Sequence, residues 1–137
     1  MKNILLLLIL TTSKLNYSYT TPPYAKRHPL HHLAFWGNCH MLERLIISGE
    51  YTTEDVDGSG RTPLHLAAIN GSKDAVDTLL GLDAKVYALD RNLYRPEDTA
   101  RHHGHIELAN LLAEYRQLEE ARLIEEHRLA IIGRRIR

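Results

Sequence analysis

The feature that most constrains this chain is a period. Pro29, Pro63 and Pro96 stand 34 and 33 residues apart, and Gly37, Gly71 and Gly104 follow at the same spacing. Between each proline and its glycine run "PLHHLAFWG", "PLHLAAING" and "PEDTARHHG". A second amphipathic stretch follows each glycine. Val76, Leu79 and Leu80 share one helical face in the middle unit, as do Leu42, Leu45 and Ile46 in the first and Ala109, Leu112 and Ala113 in the third. Each unit therefore reads as helix, glycine turn, helix and polar loop. One such hairpin cannot bury its own apolar face, so neighbours must stack into an all-α solenoid.

The middle unit, "GRTPLHLAAINGSKDAVDTLLGLDAKVYALD", resembles the ankyrin repeat, with its T-P-L-H-x-A signature at Thr62 to Ala67. The resemblance covers residues 28–116, read as repeats 28–56, 57–89 and 90–116, with the outer two degenerate as capping repeats tend to be. The first carries an extra residue near "GEYTTEDV", which lengthens its outer loop. The family implies β-hairpin fingers at "DGSGR" and "DRNLYR", set at right angles to the helices.

Local chemistry agrees with the family. Thr62 suits an N-cap and Pro63 the first helical position, where a missing N–H costs nothing. Ala67 and Ala68 let helices approach closely, and Gly71 and Gly104 suit helix ends that need a positive φ. By resemblance, His65 is a structural histidine whose ring bonds backbone and the Thr62 hydroxyl and ties repeats together. His31 is its counterpart in the first repeat. Asp98 replaces it in the third, beside Glu97 at the positive end of the helix dipole.

The remaining chemistry-bearing residues point away from catalysis. "HHGH", His102 to His105, resembles a metal tract, but Gly104-His105 is the ordinary Gly-His of an ankyrin turn and no further ligands are placed. Cys39 beside His40 raises a nucleophile reading without a third orienting group. No Gly-rich phosphate loop or catalytic carboxylate pair stands out. The expectation is a non-enzyme with no cofactor and no metal. A metal- or thiol-dependent enzyme is the remote alternative. Seventeen basic residues balance seventeen acidic ones, so net charge directs the chain neither to nucleic acid nor to an anionic membrane.

Binding a partner protein is then the expected activity. The family's variable positions fall here on Gly58, Ser59 and Arg61 in one finger and Arg91, Asn92 and Tyr94 in the next. On the first helices they fall on Phe35 and Trp36, Ile69 and Asn70, and His102 and His103. Trp, Tyr and Arg most often dominate binding energy, so Trp36, Arg61 and Tyr94 stand out. The alternative for Phe35 and Trp36 is structural, with residues 20–27 and Tyr24 folding back over them as an N-terminal cap.

Outside the repeats, residues 1–20 hold a lysine and the apolar run Ile4 to Leu10, too short to cross a bilayer and suited to a secretory signal. The alternative is a loosely docked tail. Export would place the protein outside the cytoplasm, secreted or periplasmic, as an effector or accessory protein. Residues 21–27, with Pro22 and Pro23, read as an extended linker. Residues 117–137 read as a charged helix with ion pairs at Arg116–Glu120, Glu119–Arg122 and Glu125–Arg128. Its apolar residues Leu118, Leu123, Ile124, Leu129, Ile131 and Ile132 form no clean heptad seam, so a coiled coil is only weakly indicated and the helix reads as a solvated overhang that extends the last repeat, with self-association through it as the alternative function.

Overall fold

The computed structural model describes residues 23–136, so the apolar run read as an export signal lies outside the described residues. Among the described residues seven helices follow one another: α1 (Pro23–Arg27), α2 (Pro29–Trp36), α3 (Cys39–Ile47), α4 (Pro63–Asn70), α5 (Lys73–Gly81), α6 (Pro96–His102) and α7 (Ile106–Arg135). The pairs α2–α3, α4–α5 and α6–α7 are the three repeats, stacked with α2 against α4 and α4 against α6. This is an all-α repeat solenoid.

The sequence explains each boundary. Pro29, Pro63 and Pro96 open the first helices at a position that needs no donor. Gly37 and Gly71 close the first two in the left-handed region, at φ 70° and 69°. Gly71 is required twice over, because a Cβ there would sit 2.5 Å from Nδ1 of His105 in the next repeat. Asn38 caps α3 by accepting from the Met41 N–H at 3.3 Å.

Stacking buries Leu30, Leu42, Leu64, Val76, Leu79 and Leu112 almost completely. Each large aliphatic side chain so removed from water contributes about 1.5–3 kcal/mol. Ala67, Ala68 and Ala100 are fully buried where first helices of adjacent repeats meet, and larger side chains there would force the helices apart.

One part departs from expectation. The stretch read as an extended linker is helical from Pro23 to Arg27, because Ala25 buries completely against the first repeat. The charged C-terminal helix is the helical extension of the last repeat that the sequence predicts. It continues α7 unbroken over 30 residues, since nothing between Ile106 and Arg135 breaks helical hydrogen bonding. Arg116 fixes its emergence, donating from Nε to the buried Glu97 carboxylate at 3.0 Å and from Nη1 to Glu120 at 3.0 Å.

Candidate protein-binding surface

Hydrogen bonds join the repeats at both ends of the first helices. At the N-terminal end, His31 Nε2 donates to the Arg61 carbonyl at 2.7 Å and His65 Nε2 to the Tyr94 carbonyl at 3.0 Å. His65 Nδ1 accepts from the Thr62 N–H at 3.1 Å and lies 2.9 Å from the Thr62 hydroxyl, completing a capping box. A ring nitrogen that accepts a backbone N–H carries no proton, so the tautomer is set with hydrogen on Nε2. Burial pushes the pKa of both histidines down, and their backbone hydrogen bonds only partly oppose it. In the third repeat the Asp98 carboxylate accepts from the Arg95 N–H at 3.0 Å.

At the C-terminal end, Asn70 Nδ2 donates to the Phe35 carbonyl at 2.7 Å, and His105 Nε2 donates to the Ile69 carbonyl at 3.1 Å. Sequence reading treated His105 as an ordinary turn residue. Its bond to the preceding repeat depends on packing across 36 positions, which no local pattern encodes.

The two fingers are built alike. In the first, the Asp57 N–H donates to the Arg61 carbonyl at 3.0 Å, while Asp57 Oδ1 accepts from the N–H groups of Ser59 and Arg61. In the second, Asp90 repeats the arrangement with Tyr94 and Asn92. A carboxylate thus replaces the second backbone rung, so each hairpin is a turn and not a strand ladder. The Arg91 N–H joins the fingers by donating to the Ser59 carbonyl at 3.1 Å.

Asp57 is also the hub of the first finger. Its Oδ2 accepts from Arg61 Nε at 3.0 Å and from the Tyr24 hydroxyl at 3.0 Å. Burial opposes its charge, but hydrogen bonds from Arg61 and Ser59 and the Arg61 charge outweigh that and hold the carboxyl at about 2. Tyr24 is pushed up to about 12, by burial first and by the Asp57 carboxylate second. Arg61, expected as a free contact residue, therefore has its guanidinium committed to Asp57. The N-terminal helix reaches the finger through Tyr24 and leaves Trp36 open, so among the described residues the alternative of a Tyr24 cap over Trp36 is not formed.

The other candidates fall into two groups. Trp36 is 67% exposed and meets the half-buried Phe35 edge-on at 5.3 Å, with Asn70 holding the Phe35 backbone. Tyr94 stacks on His102 at 6.4 Å, so finger and helix end form one surface in the third repeat. His103 is exposed and bends back onto its own helix, donating from Nδ1 to the Thr99 carbonyl at 2.9 Å. Ile69 is half-buried and Arg91 and Asn92 are exposed, between the two groups. No three His, Cys, Asp or Glu side chains converge as metal ligands among the described residues. The Cys39 thiol donates to the Gly37 carbonyl at 3.4 Å.

Leu93 was missed by sequence reading. It occupies the finger position held by Gly60 in the preceding repeat, and both are left-handed, at φ 64° and 73°. A leucine there strains the backbone and is still 73% exposed. Glycine at position 60 was the available signal, because the 33-residue offset projects its turn geometry onto Leu93.

Comparison with known proteins fits this geometry. The family model for ankyrin repeats (3 copies) matches residues 2–90 and 30–123. The chain belongs to the ankyrin-repeat family. It is 34% identical over 94 residues to ankyrin repeat domain-containing protein 13B of Mus musculus, covering 68% of this chain and 15% of that protein. It is 32% identical over 107 residues to ankyrin repeat domain-containing protein 37 of Mus musculus, covering 77% of this chain and 66% of that one. A stretch of 91 residues is 37% identical to transient receptor potential cation channel subfamily A member 1 of Homo sapiens, or 65% of this chain and 8% of the channel. What these proteins share with the chain is the repeat stack, and ankyrin repeats are general protein–protein interaction modules.

Proposed function

We propose that this ankyrin-repeat chain binds one partner protein across its fingers and first helices, with Trp36 and the Leu93–Tyr94–His102 cluster as anchors. The observation that carries the reading is Trp36, a large aromatic left 67% exposed on a helix whose other side is locked into the stack. Such side chains supply large contact area with little conformational entropy to lose. Leu93, held at a strained exposed position, supports the same surface. Arg91 and Asn92 border the cluster as adaptable polar contacts. On this reading the chain carries no reaction of its own, as His31 and His65 are committed to backbone carbonyls and Cys39 to a turn.

The deciding experiment is quantitative affinity capture with the full chain and with a Trp36→Ala, Leu93→Gly double variant, read by mass spectrometry. A partner retained by the first and lost by the second, with both folded, supports the reading. Equal recovery from both overturns it.

Export remains part of the proposal, on the strength of Lys2 and the apolar run from Ile4 to Leu10. The same residues fall inside the first family match, which begins at residue 2. The N-terminus of protein recovered from outside the cytoplasm tests this: a start between Lys14 and Pro22 supports a cleaved signal, and an intact Met1 excludes one.

A further inference from the structure

The continuity of α7 places residues in one row that a helix starting at position 117 would divide. Positions 111, 115, 118, 122, 125, 129, 132 and 136 are spaced alternately by four and three, the repeat of a two-helix seam. Six of them are Leu111, Tyr115, Leu118, Leu129, Ile132 and Ile136. Leu118 and Leu129 are 69% and 56% exposed, and Ile136 continues the helix with φ −84° and ψ −15°. Successive residues turn by about 100°, so the row lies roughly a quarter turn from Leu112, which faces the repeats. Leu111 packs partly against the repeat core, and from Leu118 onward the rest of the fold leaves the apolar residues of the row exposed.

The two charged positions say what covers it. Arg122 and Glu125 interrupt the row at its midpoint. In a two-fold antiparallel pair centred between them, Leu118 of one copy faces Leu129 of the other and Tyr115 faces Ile132. The same register sets Arg122 opposite Glu125 twice, once for each copy. A parallel pair would set Arg122 against Arg122 and Glu125 against Glu125, which is repulsive. The present partners of these charges on the same helix, Glu119 at 2.8 Å and Arg128 at 3.6 Å, are exposed pairs that hold weakly. An antiparallel arrangement also carries the two repeat stacks to opposite ends of the helix pair. We infer that the C-terminal part of α7 pairs antiparallel with α7 of a second copy of this chain, with Arg122 and Glu125 setting register and direction. Leu123, Ile124 and Ile131 lie off the row and take no part.

Sedimentation of the full chain across a concentration series tests this. The expected result is a reversible shift from 15.7 kDa to twice that mass. Arg122→Glu and Glu125→Arg, each alone, should weaken the dimer by about tenfold or more, and the two together should restore it. Both sites are exposed, and circular dichroism is to check that helicity is kept. In a Cys39→Ala chain, a mixture of Leu118→Cys and Leu129→Cys should oxidise to the mixed disulfide, with neither variant linking to itself. A monomer at every concentration, a dimer indifferent to the single swaps, or a double swap without recovery would each overturn the inference. So would self-linking of the Leu118→Cys chain, which marks a parallel pair.

Discussion

His65 reaches out of its own repeat to the Tyr94 carbonyl, 3.0 Å from Nε2, while Nδ1 accepts the N–H of Thr62 at 3.1 Å. One ring thus starts a helix and fastens the next finger. Replacing it with alanine leaves the Tyr94 carbonyl and the Thr62 N–H without partners. We predict a loss of about 1–3 kcal/mol, seen as a lower thermal midpoint. Affinity for the partner, measured on the folded fraction, should stay unchanged, and a stable variant with lost binding would assign His65 to the surface instead.

The same rings predict acid sensitivity. His31 and His65 have folded pKa values pushed below their ordinary 6.5 by burial. Their stabilisation is therefore complete above about pH 6.5 and is lost as pH falls below it. The thermal midpoint should begin to drop as pH falls below about 6.5, and His65→Asn should flatten that limb. A second limb belongs to Asp57, ordinarily near 3.8 and held at about 2. Its contribution, roughly 1–2 kcal/mol, is present above pH 4 and lost as pH falls through 2.

Arg61→Ala should destabilise the fold by about 1–3 kcal/mol, since it strips the buried Asp57 carboxylate of its cation. Chemical denaturation measures the loss. Tyr24→Phe removes one of the other donors to the same oxygen and should cost about 1 kcal/mol. A neutral Arg61→Ala with impaired partner binding would return Arg61 to the contact surface.

Leu93→Gly should separate stability from binding. Glycine relieves the left-handed strain at φ 64° but loosens the unfolded chain, so the net gain in stability is up to about 1 kcal/mol. Partner affinity should fall at the same time, because an exposed apolar contact is lost. A variant that is more stable and binds equally well removes Leu93 from the site.

Trp36→Ala should weaken partner binding by more than about 1 kcal/mol while leaving stability within about 0.5 kcal/mol. Isothermal titration and a thermal melt on one preparation test both halves. A large fall in stability instead would show that Trp36 packs within the molecule.

The solenoid and its three units were legible in the sequence because they rest on local rules repeated at a fixed interval. Proline opens a helix, glycine permits a positive φ, and a helix-periodic apolar face must be buried by a neighbour. Pro63, Gly71 and the Val76–Leu79–Leu80 face carry those rules openly. The surface was less legible, since a variable position states only that the stack does not need a given side chain. Arg61 and Trp36 looked alike in that respect. Folding committed one to Asp57 and left the other in solvent.

What the sequence by itself determined was each hairpin and the need to stack, because hydrogen bonding within helices and burial of their faces depend on neighbours a few residues away. What only the tertiary structure decided were the pairings across 30 or more positions: Tyr24 on Asp57, His105 on the Ile69 carbonyl, and the close approach of His105 to Gly71. It also decided the register of α7, whose second half takes its phase from a first half anchored by Leu112 and by Arg116 on Glu97. Such contacts arise from how one repeat sits on the next, a geometry fixed by packing volume and hydrogen-bond direction in three dimensions and not by the order of residues along the chain.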